Sequence, residues 1–338
     1  MRVDKARAIL SCDETIRLGV CAASVQTMTS QSSEPQSTTE SFAEGFEERI
    51  AAAAASVGAS VFAHAIDLDT GREIGVGSDA PVVAASVFKV PVLTEYVRQV
   101  ASGELDQTSR VRVLASEATL GPTGLSVFRD DAEWSLRDIA TSMITVSDNT
   151  ATDVLMTEVG VDRINATMAE LGLGGTHLIG DCKVLFAQMA EDLGVEKLEA
   201  DDGLTADDSE RIAGFAVCTP LKTNRTTPRD AARLLRLLWT NEAATPEACA
   251  EARRILGLQI WPHRLRSGFA SDDIKVSGKT GTICIVRNEI GMVEFADGRR
   301  HAISVFVRTD EYRLNNPDAD RLIGVVGRIL SDALSISG

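Results

Sequence analysis

The chain has 338 residues, of which 44% are hydrophobic and 25% charged, and its formal net charge at pH 7 is −15. A chain of this length can bury a sizeable core, as one large domain or two. The acidic balance argues against nucleic acid or an anionic membrane surface as a partner, because phosphate neutralisation needs a basic surface. No apolar run approaches the roughly 20 residues of a transmembrane helix, so we predict no membrane span.

Cysteine and histidine spacing indicates no metal centre. Six cysteines are scattered through the chain: Cys12, Cys21, Cys182, Cys218, Cys249 and Cys284. They form no Cys-x-x-Cys pair or Cys/His cluster, so we predict no metal site and no cofactor. The apolar run around Cys284 predicts a buried thiol in a strand, and the sequence leaves disulfides open.

Residues 1–41 are predicted to be a flexible N-terminal extension, because Thr, Ser, Gln, Glu and Pro dominate its second half. Its two short apolar pieces, residues 8–10 and 18–25, are separated by acids. A secretory signal needs an uninterrupted apolar core. We therefore expect a cytoplasmic protein, with secretion as the alternative.

The elements after this extension begin with a helix and a hairpin. Residues 41–57 have helical apolar spacing, with Ser41 as the predicted cap. Residues 60–67 and 73–76 are typical of two strands joined by a turn at 69–71.

The middle of the chain is predicted to be mostly helical. Helices are predicted at 135–144, 150–159, 162–171, 228–239 and 246–256. Pro91 conflicts with a helix that starts near residue 84, so we expect either a kink or a late helix start. The acid-rich stretch at 189–210 indicates a solvated loop.

The C-terminal part alternates like strands and ends in a helix. Strands are predicted from 274 through the Lys279 segment, at 284–295 and at 302–307, with a helix at 317–334. Strands at both chain ends around a helical middle predict an α+β fold, in which an antiparallel sheet is flanked by helices and carries an inserted all-α domain. We assign residues 42–82 and 263–338 to the sheet domain and 83–262 to the all-α domain.

A serine and a lysine stand three residues apart at the head of an apolar run, as Ser86 and Lys89. On a helix these positions share a face, so the lysine amine can reach and activate the serine hydroxyl. Alone, the pattern also fits a surface lysine one turn after a helix start.

Two further segments favour the catalytic interpretation. Ser147-Asp148-Asn149 and Lys279-Thr280-Gly281 follow in the order and approximate spacing expected of class A β-lactamases and penicillin-binding proteins. From about residue 42 to its end, the chain resembles the penicillin-recognising serine hydrolases, and most closely the class A β-lactamases. The resemblance implies the same α+β architecture.

The resemblance also implies roles for four catalytic residues. Ser86 is the nucleophile that becomes acylated, and Lys89 holds or takes its proton. Ser147 relays the proton to the leaving nitrogen, and Lys279 supplies positive charge near Ser147 and the substrate carboxylate.

Substrate binding is assigned to four more residues by the same resemblance. Thr280 and Thr282 offer hydroxyls to the carboxylate, and the N–H groups of Ser86 and Thr282 stabilise the oxyanion. Asn149 donates to a side-chain amide carbonyl, and Gly281 lets the substrate approach the strand closely. Asp148 is expected to cap a helix.

The sequence departs from class A enzymes at deacylation. Those enzymes carry a Glu-x-x-Leu-Asn pattern, whose glutamate activates water, downstream of the second serine. The corresponding distance from Ser147 falls near Lys183, next to Asp181 and Cys182, and the pattern is missing there. Asp181 is displaced from the expected position and also fits a plain turn carboxylate.

We therefore predict a serine hydrolase that forms a Ser86 acyl-enzyme with a β-lactam, or a related ester or amide, and has an altered deacylation step. One alternative is a D,D-peptidase, which requires export. Another is a β-lactam-binding protein with little turnover. The expected partner is a small molecule, the expected state is a monomer, and the natural substrate stays open.

Overall fold

A computed structural model describes residues 45–199 and 203–336. The α-helices of these residues are α1 (Phe46–Val57), α2 (Lys89–Ser102), α3 (Leu136–Thr145), α4 (Asn149–Val159), α5 (Val161–Glu170), α6 (Cys182–Leu193), α7 (Ser209–Ala213), α8 (Pro228–Trp239), α9 (Pro246–Leu256) and α10 (Pro317–Ile336). The strands are β1 (Ala59–Asp67), β2 (Glu73–Val76), β3 (Val82–Val83), β4 (Arg110–Val113), β5 (Ala132–Ser135), β6 (Arg225–Thr226), β7 (Lys275–Ile283), β8 (Val286–Glu294) and β9 (Arg300–Thr309). The predicted extension at 1–41 and the Ser41 cap lie outside the described residues.

The main sheet has the strand order β2-β1-β9-β8-β7, and every neighbouring pair is antiparallel. Because side chains alternate along a strand, the sheet presents apolar residues to both of its faces. Ala65 and Val305 pack with α1 and α10 on one face, whereas Ile66 and Phe306 join the larger core on the other. The predicted α+β fold with an antiparallel sheet is confirmed.

The larger core lies between the sheet and the helices of the middle of the chain. Helix α2 passes through this core, and its Val90, Val92 and Leu93 are fully buried. The described residues belong to one compact unit. The finer division into a sheet domain and an all-α domain stays a prediction.

Pro91 is accommodated by a late helix start. A short 3-10 turn, Ala85–Phe88, precedes α2, so Pro91 is the third residue of the α-helix. The first four N–H groups of an α-helix have no partner within the helix, so a proline costs little there.

Two local predictions were wrong. The stretch at 189–210 was predicted to be a loop, but its first residues belong to α6, which Asp181 caps by accepting a hydrogen bond from the Val184 N–H at 2.9 Å. Cys284 was predicted within a strand, but it lies in the turn between β7 and β8.

No helix within 45–199 or 203–336 is long and apolar enough to cross a membrane.

Candidate active site

Ser86 lies in the 3-10 turn that leads into α2 and lines an open cleft of about 600 Å³. In a 3-10 turn the side chains at i and i+3 lie directly above one another, which puts Ser86 and Lys89 on the same side. The preceding residue, Ala85, has a φ of 44°, in the left-handed region that alanine rarely adopts. Such strain beside a reactive side chain is common at functional sites.

Lys89 is fully buried behind the cleft, and its ammonium group contacts the segment that carries the second serine. Its Nζ donates to the Ser147 carbonyl at 2.8 Å and to Asn149 Oδ1 at 2.9 Å, and lies 3.3 Å from Ser147 Oγ. No carboxylate among the described residues accepts a hydrogen bond from this amine. Burial lowers the pKa of Lys89, and the charges of Cys182, Asp148 and Asp153 oppose that shift.

Ser147 has a φ of 63°, a conformation that turns both its carbonyl and its hydroxyl towards Lys89. The next residue, Asp148, holds this turn in place. Its buried carboxylate accepts hydrogen bonds from the N–H groups of Leu125 at 2.7 Å and Ala151 at 3.0 Å, and from the Ser142 hydroxyl at 2.9 Å. The prediction that Asp148 caps a helix is confirmed.

Lys279 lies on the edge strand β7 and is also fully buried. Its Nζ donates to the Thr280 carbonyl at 2.8 Å. Burial, with the positive charges of Lys89 and Arg264, holds the pKa of Lys279 well below its usual value. Burial therefore favours the neutral amine of both lysines, and the charge of Lys89 further disfavours the charged form of Lys279.

The outer edge of β7 faces the nucleophile. The Thr280 N–H donates to Gln259 Oε1 at 2.6 Å, away from β8. In an antiparallel strand the N–H groups two residues apart point the same way, so the Thr282 N–H faces this edge too. A Cβ atom on Gly281 would lie 2.9 Å from the Ala84 carbonyl oxygen, so glycine lets β7 pack against the turn that carries Ser86.

Arg264 organises the side of the cleft beyond Thr282. It is almost fully buried, with its Nε 2.7 Å from Asp320 Oδ1. It also donates to the Gly281 carbonyl at 2.8 Å and to Thr282 Oγ1 at 2.6 Å. Arg287, which also lines the cleft, donates to the carbonyl of Leu314 at 3.2 Å.

Glu289 supports β7 from behind. Its buried carboxylate accepts hydrogen bonds from the Leu265 N–H at 2.6 Å and from Gln259 Nε2 at 2.8 Å. Burial raises the pKa of Glu289 to about 7. Glu289 thus holds the Gln259 side chain, whose amide oxygen in turn accepts the Thr280 N–H.

Sequence reasoning missed this supporting set, although a signal was present. Arg287 and Glu289 are charged residues in a strand whose other residues are mostly apolar, and charged side chains are rarely buried without a partner. Gln259 and Arg264 lie between the helix predicted at 246–256 and the strand predicted from 274, and no element or role was predicted for them. The residues that they contact are distant in the chain, so the neighbouring sequence gave no indication of their roles.

The group beside Lys89 and Asn149 at the back of the site is Cys182, the first residue of α6. Its Sγ lies 3.6 Å from Asn149 Oδ1, and its N–H donates to Asp153 Oδ1 at 2.7 Å. Burial raises the pKa of the Cys182 thiol well above its usual value. Lys183, by contrast, is exposed.

The cleft brings together most of the residues that the sequence singled out. The predicted residues that line it are Ser86, Ser147, Asn149, Thr280 and Thr282. Lys89 and Lys279 lie buried behind them, and Gly281 packs against the nucleophile turn. In the described part of the chain, no group of three or more His, Cys, Asp or Glu side chains could hold a metal ion.

Known proteins resemble the chain over most of its length. The sequence pattern of the Beta-lactamase enzyme family matches residues 45–334. The Beta-lactamase regulatory protein BlaB of Streptomyces cacaoi is 30% identical over 285 residues, which cover 79% of this chain and 90% of BlaB.

Solved structures agree with this likeness. A β-lactamase from Sphaerobacter thermophilus is 26% identical with a TM-score of 0.69, and the match covers 87% of this chain and 98% of that one. PBP-A is 23% identical with a TM-score of 0.67, over 86% of this chain and 96% of its own, which supports the fold alone.

Proposed function

Because the chain belongs to the β-lactamase enzyme family, we propose that it catalyses acyl transfer through a serine. Ser86 attacks a β-lactam, or a related ester or amide, and becomes acylated. In this proposal the acyl group leaves slowly. The observation that carries the proposal is a buried Lys89 whose amine hydrogen-bonds to no carboxylate among the described residues. Its partner Asn149 Oδ1, 2.9 Å from the amine, also lies 3.6 Å from the Cys182 thiol.

Acylation is supported by the arrangement around the cleft. Lys89 has a lowered pKa and can accept the proton of Ser86 as a neutral amine. Ser147, 3.3 Å from the Lys89 amine, then passes that proton to the leaving nitrogen. The Ser86 and Thr282 N–H groups stabilise the oxyanion, while Lys279 holds the Thr280 carbonyl at 2.8 Å behind the strand.

Deacylation needs a base that activates water, and a thiol serves poorly here. The raised pKa of Cys182 keeps it protonated at neutral pH, so it accepts no proton from water. A positioned general base typically contributes about 10²–10⁴-fold to such a step. The acyl-enzyme should therefore persist far longer than one whose site holds a carboxylate.

The test is intact-mass spectrometry of the full chain mixed with penicillin G, followed over time. Wild type should gain one adduct that is lost only slowly, and Ser86→Ala should gain none. Cys182→Glu should lose its adduct about tenfold faster or more, because a carboxylate then lies beside Lys89.

Two variants control for unrelated effects. Cys182→Gln has nearly the shape of the glutamate variant without its basicity, and Lys183→Glu adds the carboxylate at an exposed position. Both should keep the adduct as long as wild type does. If Cys182→Gln lost its adduct as fast as Cys182→Glu, space for a water molecule rather than a base would limit deacylation. Labelling of Ser86→Ala would show that Ser86 is not the nucleophile.

A second candidate is a β-lactam-responsive regulatory protein with little turnover. The likeness to BlaB, a β-lactamase regulatory protein, favours it. The same time course separates the two. Continued loss of free penicillin beyond one equivalent indicates a hydrolase, whereas consumption that stops at one equivalent indicates a binder.

A further inference from the structure

A second serine lies against a histidine and a carboxylate, at the sheet edge opposite the cleft. Strand β2 is the outer strand at that edge, whereas β7 is the outer strand beside Ser86. Just after β2, the Ser78 hydroxyl lies 3.0 Å from His64 Nδ1. The other ring nitrogen, His64 Nε2, lies 3.1 Å from Glu73 Oε2. Serine, histidine and glutamate therefore form a hydrogen-bonded chain that acylation at Ser86 does not use.

The neighbours of His64 fix which of its two nitrogens carries the proton. Burial alone would raise the pKa of Glu73, but the neighbouring Arg233 and Arg229 hold it below its usual value. An ionised carboxylate only accepts hydrogen bonds, so Nε2 donates to Glu73 and Nδ1 keeps a lone pair. Burial, with the positive charge of Arg229, also lowers the pKa of His64, which favours the neutral ring at pH 7. The Ser78 O–H therefore donates to a neutral imidazole.

Packing fixes the histidine and leaves the serine at the surface. His64 is buried on β1, and the residue that faces it on β2 is Gly75. A Cβ atom on Gly75 would lie 2.5 Å from Ser78 Oγ and 2.9 Å from His64 Nδ1, so glycine makes room for their contact. Ser78 itself is only half-buried.

The surroundings of Ser78 carry the sign of charge that acyl transfer needs. The first turn of α8 lies against it, since the Arg229 N–H donates to the Ser78 carbonyl at 2.9 Å. The N-terminus of a helix is positive. The Arg229 guanidinium adds a cation, which donates to Glu73 at 2.6 Å and to Asp79 at 2.8 Å. Positive charge at this point stabilises an oxyanion that forms on a reagent attacked by Ser78.

We propose that Ser78, His64 and Glu73 form a second nucleophilic site, which hydrolyses small activated esters independently of the Ser86 cleft. The roles match those of a Ser-His-acid triad, with the two ring nitrogens exchanged relative to serine proteases. Ser78 Oγ attacks the ester carbonyl carbon while its proton moves to His64 Nδ1. The bond to the leaving oxygen then breaks, and His64 returns the proton to that oxygen, which releases an alcohol and leaves Ser78 acylated. Water attacks the acyl carbon by the same route, so one ester and one water yield one acid and one alcohol.

Another serine–histidine pair provides an internal control. His301 Nδ1 lies 2.9 Å from Ser331 Oγ, and both residues are almost fully buried. Within the described part of the chain, His301 Nε2 has no hydrogen-bond partner. This pair has the base without an orienting carboxylate and without access for a reagent, so it should stay unreactive.

The first test treats full-length Ser86→Ala with diisopropyl fluorophosphate, which forms a P–O bond with an activated serine and expels fluoride. Peptide mass spectrometry should find one adduct, on the peptide that contains Ser78. Adding His64→Gln should slow its formation by about 10²-fold or more, because the general base is lost. Adding Ser331→Ala should change nothing. Absence of an adduct at Ser78, or an equal rate after His64→Gln, would overturn the proposal, and neither outcome depends on acylation of Ser86.

The second test measures turnover. Release of p-nitrophenol from p-nitrophenyl acetate by Ser86→Ala should continue beyond one equivalent, and should fall several-fold when Ser78→Ala is added. The melting temperature of that double variant should match the one of Ser86→Ala, which separates lost chemistry from lost folding without penicillin. Unchanged release in the double variant, or release that stops at one equivalent, would refute ester hydrolysis at Ser78.

Discussion

Replacement of Asp148 by alanine tests whether the turn that carries the second serine depends on one buried carboxylate. In Asp148→Ala, four donors lose this acceptor: the N–H groups of Leu125 and Ala151, and the hydroxyls of Ser142 and Ser126. Among the described residues, only the Ser126 hydroxyl keeps another partner, Thr150. Each unsatisfied buried donor costs about 1–3 kcal/mol. Partial rewetting of the site recovers some of that sum, so we expect a loss of about 4 kcal/mol in the free energy of unfolding.

The assay is equilibrium urea unfolding, with Asp181→Ala as the matched control. Asp181 also caps a helix, but it is partly exposed and accepts a single N–H, from Val184 at 2.9 Å. Loss of such a cap costs about 1 kcal/mol. If Asp148→Ala destabilises the protein by no more than Asp181→Ala does, the assigned role of Asp148 is wrong.

Two further predictions concern the edge strand. Gly281→Ala places a Cβ atom 2.9 Å from the Ala84 carbonyl oxygen and 3.1 Å from the Val87 nitrogen, both backbone atoms. We therefore expect the free energy of unfolding, measured by heat or urea, to fall by about 1–3 kcal/mol. An unchanged melting temperature would contradict the tight packing. Burial raises the pKa of Glu289 from an ordinary value of 4.5 to about 7. Between these values the folded protein binds a proton that the unfolded chain releases, so the stabilisation is full below pH 4.5 and is lost as pH rises through about 7. Glu289→Gln should flatten the fall in unfolding free energy over that window, and an unaltered pH profile would show that Glu289 does not titrate there.

Local signals were strong enough to place several elements. Helices α8 and α9 have the predicted bounds, because Thr227 and Thr245 each cap a helix that begins with proline. Strand β2 also has the predicted bounds. These elements are encoded by neighbouring residues, so the sequence alone suffices.

Elements that depend on distant contacts were harder to predict. Helix α6 buries only a narrow stripe, Cys182, Leu185 and Ala190, and its last turn carries acidic residues that suggested a loop. The turn at Cys284 interrupts an apolar run because β7 must reverse to pair with β8. Neither feature has a strong local signal.

The candidate site also combines residues that short motifs identify with contacts that form only in the folded chain. Family motifs nominated Ser86, Lys89, Ser147 and Lys279, but the contact between Lys89 and the Ser147 turn joins residues 58 positions apart. The catalytic and binding roles of these residues stay predictions. The relay from Glu289 through Gln259 to Thr280 could not be predicted, since each contact forms only after the sheet and the connection have packed.

The occupied edge of β7 has a consequence for how the protein meets other polypeptides. An edge strand ordinarily offers a row of unpaired backbone groups on which a foreign strand can build. Here the Thr280 N–H is already bonded to Gln259, and Gly281 packs against the nucleophile turn. A foreign strand at this edge could therefore pair with only part of β7, so we expect the edge to resist sheet-to-sheet aggregation.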